Sequence, residues 1–457
     1  MRPENLEAIY RLSPVQEGIL FHALNEPDNG LYVRHLVVEL SGALEVERLQ
    51  EAWARLLARH AVLRTSLHWQ EVAHPVQVVA RRVALPWDEK DWRCLSEEER
   101  QRSMAELLRA DLQRGFDLAQ PPLVRLTLVR TGEQDWELIW SFHHLILDGW
   151  SLLLLLREVF AVYAELCRGG KPAVEKAVPY KDFITWQERR ADRDGAATER
   201  FWRRSLAGFS APTPLPGGRP RAVASGERRS YEERGTELSV EVTAALERLA
   251  KRHGLTVNTL LQGAWAVLLS RYSQEDDVVF GTTVSGRSAP LPGIESMVGL
   301  LINTLPLRVQ VQENVSLLPW LRDLQESASE LLQHEHDPLA LIQGWSEVPR
   351  GLPLFDSIVV FQNLPIDKIL DRGFVSSMPL RLAIRRGIET LNYPLALIAF
   401  EGDGLALRLS FERERVESSE STRRTLDSSL HMSRCPSDKP AYMQHFPRST
   451  QQLPARL

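Results

Sequence analysis

From Trp136 to Phe142 the large residues Trp136, Leu138, Trp140 and Phe142 alternate with their neighbours, the period-two pattern of a half-buried strand. From Ser151 to Leu166 the chain reads SLLLLLREVFAVYAEL, a strongly apolar helix without proline or glycine. Between them stand His143, His144, Leu145, Ile146, Leu147, Asp148, Gly149 and Trp150. Two histidines therefore sit where a strand ends, and an Asp-Gly turn follows before a buried helix begins. A strand handed directly to such a helix needs a sheet to lie in and a core to cover, which is an α/β arrangement. Junctions of this kind, where strands give way to loops, are where sites are usually built.

The rest of the chain surrounds that junction with similar material. Tyr32–Leu40 reads as a strand, and Val46–Arg59 as an amphipathic helix with Leu49, Trp53, Leu56 and Leu57 on one face. Val62–Trp69, Val76–Val83 and Leu123–Arg130 read as strands, Leu12–Leu24 and Glu97–Gln113 as helices. Gly169-Gly170-Lys171-Pro172 breaks the pattern and marks a domain boundary, and a second break runs from Ser210 to Gly226 after a helical segment at Thr198–Leu206. Beyond it, Val240–His253, Thr256–Arg271 and Leu317–His334 read as helices. Asp277–Thr283, Phe355–Gln362, Leu380–Ile388, Leu395–Glu401 and Leu405–Phe411 read as strands, and Ile294–Val309 as a loop leading into one. The expected fold is mixed α/β, in two helix-covered sheet lobes. A length of 457 residues fits that division, being too long for one ordinary core.

Composition excludes several functions. The formal net charge is −5 with basic residues scattered, which gives no reason to expect a nucleic-acid partner. Cys94, Cys167 and Cys435 lie far apart without metal spacing and read as reduced thiols of a cytosolic protein. The start, MRPENLEAIYRL, has no apolar signal region, and no run reaches membrane-spanning length; Leu152–Leu156 is a buried helix face. The expectation is a cytoplasmic protein with no membrane partner.

The histidine pair has a plain reading and a chemical one. Strand neighbours point to opposite faces, so His143 and His144 do not both face one ligand. Either is adequate as a satisfied structural histidine, and one of them is enough for proton transfer near neutral pH. Asp148 could bond the imidazole, or pair with a buried arginine and hold the loop. A metal centre is not expected: the two rings diverge and no third imidazole is near. The cluster His334-Glu335-His336-Asp337 reads as a solvated charge run at a polar helix end. Gly281 to Ser288 nearly spells a phosphate loop, but arginine replaces the lysine and Ala289-Pro290-Leu291-Pro292 follows where a helix should begin. No G-x-S-x-G elbow is present to support a serine nucleophile.

Taken in order, the motifs resemble the condensation domains of nonribosomal peptide synthetases. His143-His144-Leu-Ile-Leu-Asp148-Gly149 matches the family's HHxxxDG signature. Leu12-Ser13-Pro14-Val15-Gln16-Glu17-Gly18 resembles its opening motif, Arg59 to Thr65 its second, and Tyr180 to Trp186 the motif after the first lobe. Phe280 to Arg287, Met297-Val298-Gly299 and Ile302 to Pro306 are also family-like, as are Pro338-Leu339 and Leu354-Phe355-Asp356-Ser357 with Phe361-Gln362-Asn363.

The resemblance implies two chloramphenicol acetyltransferase-like lobes in a V with a central tunnel. The lobes would cover residues 1–175 and 176–417, with a floor loop at about 281–306, a latch at about 363–394 and a divergent tail at 418–457. A donor acyl thioester, carried by a carrier protein or coenzyme A, would meet a carrier-bound aminoacyl acceptor, and the amine would attack to give an amide. His144 is the implied catalytic residue, accepting the amine's proton or positioning the amine. His143 would orient it, Asp148 would pair with Arg64, and Gly149 would admit backbone near the thioester. Trp150, Ser285, Gly286, Arg287, Asn303 and Asn392 are tunnel or floor-loop candidates. No cofactor is expected beyond the phosphopantetheine or coenzyme A that carries substrate. The implied partners are an acceptor peptidyl carrier protein, a donor carrier or acyl-CoA, and a downstream adenylation domain. If the start is native, the short stretch before the first motif suggests a donor supplied in trans, as for a starter domain that N-acylates the first amino acid; if it is not, an ordinary peptide-bond-forming domain fits equally well. Two alternatives stand beside amide formation: a carrier-independent, coenzyme-A-dependent acyltransferase, and a catalytically silent carrier-docking domain.

Overall fold

The apolar alternation of residues 124–143 forms adjacent antiparallel strands at the heart of a five-stranded sheet. The structure, a computed structural model, describes residues 3–25, 30, 32–172, 176–215, 231–312, 314–362, 380–388, 393–402, 404–413 and 415–416. It divides into two compact units. The first comprises Met1–Arg193 with Gly286–Ile302 and Leu364–Thr390; the second comprises Asp194–Ser285, Asn303–Asn363 and Leu391–Leu457.

In chain order the elements are β1 (Leu6–Arg11), α1 (Pro14–Asn25), β2 (Val33–Ser41), α2 (Val46–Arg59), β3 (Thr65–His68), β4 (Val76–Ala80) and β5 (Trp87–Asp91). Then follow α3 (Glu97–Arg114), β6 (Val124–Arg130), β7 (Asp135–His143), α4 (Gly149–Cys167) and α5 (Tyr180–Ser205). Next come β8 (Tyr231–Glu237), α6 (Val240–His253), α7 (Val257–Ser273), β9 (Asp277–Val284), β10 (Asn303–Gln310), α8 (Leu317–Leu332) and α9 (Leu339–Trp345). The last are β11 (Ser357–Gln362), β12 (Arg381–Ile388), β13 (Leu395–Phe400) and β14 (Ala406–Glu412).

The first unit holds a five-stranded sheet ordered β12-β2-β7-β6-β5 and a small sheet ordered β1-β4-β3. One face of the larger sheet presents Leu36, Val38, Leu40, Leu138, Trp140 and Phe142. They share a core with Trp53 and Leu56 of α2 and Leu155, Val159 and Phe160 of α4. Trp53 meets Trp140 edge to face at 4.8 Å between ring centroids, and each such fully buried side chain contributes about 1.5–3 kcal/mol. The opposite face is covered by α3, where Leu108 joins Val37, Val129 and Ile139. Ser96 and Glu99 close a capping box on α3, which satisfies the first free amides of a mostly polar helix.

The second unit is a mixed six-stranded sheet ordered β10-β9-β11-β13-β14-β8, with β11 parallel to both neighbours. Its core gathers Trp265 and Leu269 of α7, Trp320 and Leu324 of α8, Phe280, Leu305, Ile358 and Ile398. Among the described residues no helix is long and apolar enough to cross a membrane.

The division differs from the expected contiguous one. Gly286–Ile302 belongs to the first unit because Arg287 is buried against Asp148 and Val298 enters the α2/α4 core. β12 belongs there too, as an edge strand paired with β2 from Arg381↔Ser41 to Ile388↔His35. The units follow what each segment buries against rather than the breaks in the sequence. The latch expected at 363–394 is otherwise mostly outside the described residues, as is the 418–457 tail.

Candidate active site

β7 carries the chain to His143, and the next five residues, His144–Asp148, make a tight loop into α4. His143 is buried, and its Nδ1 accepts the amide N–H of Leu145 at 3.2 Å. A ring nitrogen that accepts carries no proton, so this bond fixes the His143 tautomer. The ring lies 6.2 Å from Tyr32 and edge-on to Phe116 at 6.3 Å. His144 is partly buried and turns the other way. Its amide N–H donates to the Tyr32 carbonyl at 2.8 Å, and its Nδ1 lies 2.7 Å from the Leu147 carbonyl. A carbonyl only accepts, so Nδ1 bears the proton and the Nε2 lone pair of the neutral ring is left for another partner.

Both rings are held neutral. Burial, and then the charge of Arg34, push His144 down to about 4. Burial, with smaller contributions from His144 and Arg34, pushes His143 down to about 3.

Asp148 caps α4: its Oδ1 accepts the Ser151 amide at 2.8 Å and its Oδ2 accepts the Leu301 amide at 3.0 Å. Its charge partner is Arg287, whose Nη2 lies 3.2 and 3.4 Å from the two oxygens, with both side chains buried. Arg287 also donates to the carbonyls of Ile294 and Met297 and to Ser151 Oγ. Ser151 Oγ in turn donates to the Gly299 carbonyl at 2.8 Å and accepts the Gly299 amide at 3.0 Å. Gly286, at φ 66°, admits Arg287 to this arrangement, since a Cβ there would collide with the Leu301 carbonyl. Trp150 donates its indole N–H to the Glu295 carbonyl at 2.9 Å and lies under Arg287, 5.2 Å from guanidinium carbon to ring centroid.

The expected pairing of Asp148 with Arg64 is therefore corrected. Arg64 is buried elsewhere, donating to the carbonyls of Leu57 and Ala80 and to Glu7 Oε2 at 2.5 Å. It ties β1, α2 and β4 together and takes no part in the histidine loop. Of the floor-loop candidates, Trp150, Gly286 and Arg287 gather with His143, His144, Asp148 and Gly149 in the first unit. Ser285 and Asn303 belong to the second unit, and Asn392 lies outside the described residues. Asn303 donates to the carbonyls of Glu335 and Asp337 at 3.0 and 2.8 Å, which is a structural duty.

The reading of His334–Asp337 as a solvated run is also corrected. Glu335 and Asp337 are 2% and 1% exposed. Asp337 Oδ2 accepts Trp202 Nε1–H at 2.8 Å and lies 2.8 Å from His334 Nδ1, while His334 stacks on Phe201 at 3.7 Å. Two aromatic residues of α5 cover the cluster and satisfy its carboxylate, a long-range effect that local polarity does not reveal.

Other supports of the loop were not singled out as site residues by the sequence. Gln16 and Gln77, both fully buried, exchange amide bonds at 3.1 and 2.9 Å. Gln16 Nε2 also holds the Leu145 carbonyl at 2.9 Å, so the opening motif braces the histidine loop. Tyr32 takes φ 72°, a left-handed conformation unfavourable for a bulky residue, at the point where its carbonyl receives His144.

The family model described as Condensation domain matches residues 6–441. A linear gramicidin synthase polypeptide of Brevibacillus parabrevis is 42% identical over 412 residues, covering 90% of this chain and 5% of that protein. Bacitracin synthase 1 of Bacillus licheniformis is 33% identical over 407 residues, covering 89% of this chain and 8% of that protein. The chain thus spans a small fraction of the length of these relatives. The starter condensation domain of rhizomide synthetase, crystallised with C8-CoA, superposes with a TM-score of 0.79 at 20% identity, covering 96% of this chain and 98% of that one. This structure shares the mixed α/β, chloramphenicol acetyltransferase-like fold. The chain belongs to the condensation-domain family of nonribosomal peptide synthetases, whose members catalyse amide bond formation.

Proposed function

We propose that this chain joins a donor acyl thioester to the amine of a carrier-bound aminoacyl acceptor, with His144 Nε2 accepting the amine's proton. The observation that carries the reading is the 2.7 Å contact of His144 Nδ1 with the Leu147 carbonyl. It commits the ring's proton to Nδ1 and presents Nε2 as a base, in a ring that stays neutral at pH 7. As the amine attacks the thioester carbonyl, a C–N bond forms and the C–S bond breaks. The proton passes from the amine nitrogen to Nε2 and then to the departing sulfur, which leaves as a thiol. His143 and the Asp148–Arg287 pair hold the loop, and touch no reacting atom in this scheme. The phosphopantetheine of a carrier, or coenzyme A, delivers the acyl group as substrate. A peptidyl carrier protein and an adenylation domain are the working partners, in the cytoplasm where such thioesters are made.

Loaded acceptor carrier, offered a panel of acyl-CoA and acyl-carrier donors and read by intact-protein mass, tests this directly. The acceptor gains the acyl mass with the wild type and not with His144→Ala. Full turnover by His144→Ala would remove the base assignment. Equal turnover with free amino acids would favour the carrier-independent acyltransferase.

A further inference from the structure

Leu145, Ile146 and Leu147 are fully buried, so the backbone polar groups of the histidine loop need partners inside the protein. Several find them within the loop. The His143 carbonyl accepts the Ile146 amide at 3.2 Å, His143 Nδ1 accepts the Leu145 amide, and the Leu147 carbonyl accepts His144 Nδ1–H. The Leu145 carbonyl is met instead from 129 positions away, by Gln16 Nε2 at 2.9 Å.

The surroundings of Gln16 leave its side-chain amide one orientation. It is the third residue of α1, and it exchanges the reciprocal bonds of a capping box with Ser13. The Ser13 amide donates to Gln16 Oε1 at 2.8 Å, and the Gln16 amide donates to Ser13 Oγ at 3.2 Å. A backbone N–H only donates, so the oxygen of the side chain faces Ser13 and its NH2 faces Leu145. Gln77 of β4 completes the set. It donates to Gln16 Oε1 at 2.9 Å, accepts the second Gln16 Nε2–H at 3.1 Å, and gives its other N–H to the Arg11 carbonyl at 3.0 Å. A buried amide with every donor and acceptor engaged is a rigid support.

The consequence falls on His144. The 2.7 Å contact of its Nδ1 with the Leu147 carbonyl closes a ring through residues 144–147. That ring holds only while the peptide between Leu145 and Ile146 keeps its plane, and Gln16 holds the plane by its oxygen. Without that N–H the buried carbonyl is unsatisfied and the peptide turns towards another donor. The Leu147 contact then opens, and the imidazole is free to carry its proton on Nε2.

We propose that Gln16 is a positioning residue for the transfer: by holding the Leu145 carbonyl it keeps the proton of His144 on Nδ1, so that Nε2 stays able to accept the amine's proton. The inference rests on the reading of His144 as that acceptor and adds what fixes its tautomer.

The test compares full chains carrying Gln16→Met and Arg64→Lys. The second loosens the neighbouring packing of β1, α2 and β4 and leaves the histidine loop alone. In Gln16→Met kcat falls about 10²-fold while the KM values of donor and acceptor hold, whereas Arg64→Lys keeps its kcat. Ring-nitrogen NMR of histidine-labelled protein, with His144 assigned from His144→Asn, reads the tautomer without turnover. The wild type shows His144 protonated at Nδ1 and bare at Nε2, and Gln16→Met gains protonation at Nε2. A folded Gln16→Met that keeps the wild-type tautomer, or that loses no more rate than Arg64→Lys, overturns the inference. Failure of the acceptor reading looks different: a wild-type His144 with its proton on Nε2, or full turnover by His144→Ala. Should Gln16→Met not fold, Gln16→Glu keeps the volume and the bond from Ser13. At alkaline pH its carboxylate has no proton to give Leu145, and the same two measurements apply. Should neither fold, the wild type decides. A single Nδ1–H tautomer with Gln16 NH2 protons slow to exchange supports the proposal; a mixed tautomer, or NH2 protons that exchange freely, overturns it.

Discussion

Asp148 and Arg287 face each other at 3.2 Å with both side chains buried, although they stand 139 positions apart in the chain. The carboxylate also accepts two backbone amides, and the guanidinium also donates to two carbonyls and a hydroxyl. This pair joins the loop that carries His144 to the Gly286–Ile302 segment.

Removing one partner leaves the other as an uncompensated buried charge. Arg287→Ala is expected to destabilise the protein by about 3–5 kcal/mol, and Asp148→Ala by a similar amount. In a double-mutant cycle on unfolding free energies, Asp148 couples strongly to Arg287. It adds to Arg64→Ala within about 0.5 kcal/mol, since the two share no partner.

Acid should weaken the fold through the histidine pair. In the unfolded chain both rings titrate near about 6.5, while the folded rings are held down at about 3 and about 4. Above the unfolded value both states carry neutral rings and nothing is lost. Below it the unfolded chain takes up protons first, so stability falls until the folded rings titrate. At about pH 5 the loss is about 2 kcal/mol per ring. Asp111 has not yet contributed there. Burial alone would raise its carboxyl, but hydrogen bonds and charge from His35 and Arg125 outweigh that and hold it far below the usual range, so its loss begins only near ordinary carboxylate values. Urea unfolding at about pH 7.5 and about pH 5 should show a smaller acid loss in His144→Gln than in the wild type.

Gly299 packs its Cα against the face of Tyr180, whose hydroxyl donates to the Leu300 carbonyl at 2.7 Å. A Cβ at 299 would enter the Tyr180 ring. Gly299→Ala should therefore cost about 1–3 kcal/mol and lower turnover by displacing Ser151 and Asp148. Gly344→Ala, where a Cβ meets nothing, serves as the control.

Asp337→Ala leaves the Trp202 indole N–H buried without its acceptor and His334 without its carboxylate. A loss of about 2–4 kcal/mol is expected from these two broken bonds. The acid limb of the pH–rate profile should not move, because this cluster belongs to the second unit and the loop that carries His144 to the first.

Local pattern carried most elements. Val46–Arg59 and Val240–His253 lie where local pattern places them, and Ser239 and the left-handed Gly254 cap the second. Three strands escaped it: β1, β5 and β8. β5 (WDEKD) and β8 (YEERGTE) are polar because they lie at sheet edges, and β1 sits at the edge of the small sheet. An edge strand buries little and so leaves weak alternation. Thr198–Leu206 reads as a short helical segment of its own, yet α5 runs unbroken from Tyr180 to Ser205.

The sequence by itself determined the strand–His–His–Asp-Gly–helix junction and the mixed α/β class, and its resemblance to condensation domains implied His144 as the residue to watch. The first two follow from periodicity and turn chemistry and the third from motif order, all of them properties of neighbours in the chain. Which arginine neutralises Asp148, which amide side chain steadies Leu145 and why His334–Asp337 is buried were decided only by the tertiary structure. Each of those depends on residues brought together across roughly a hundred positions or more. Low dielectric and satisfied hydrogen bonds select the partner there, and no local pattern records the choice.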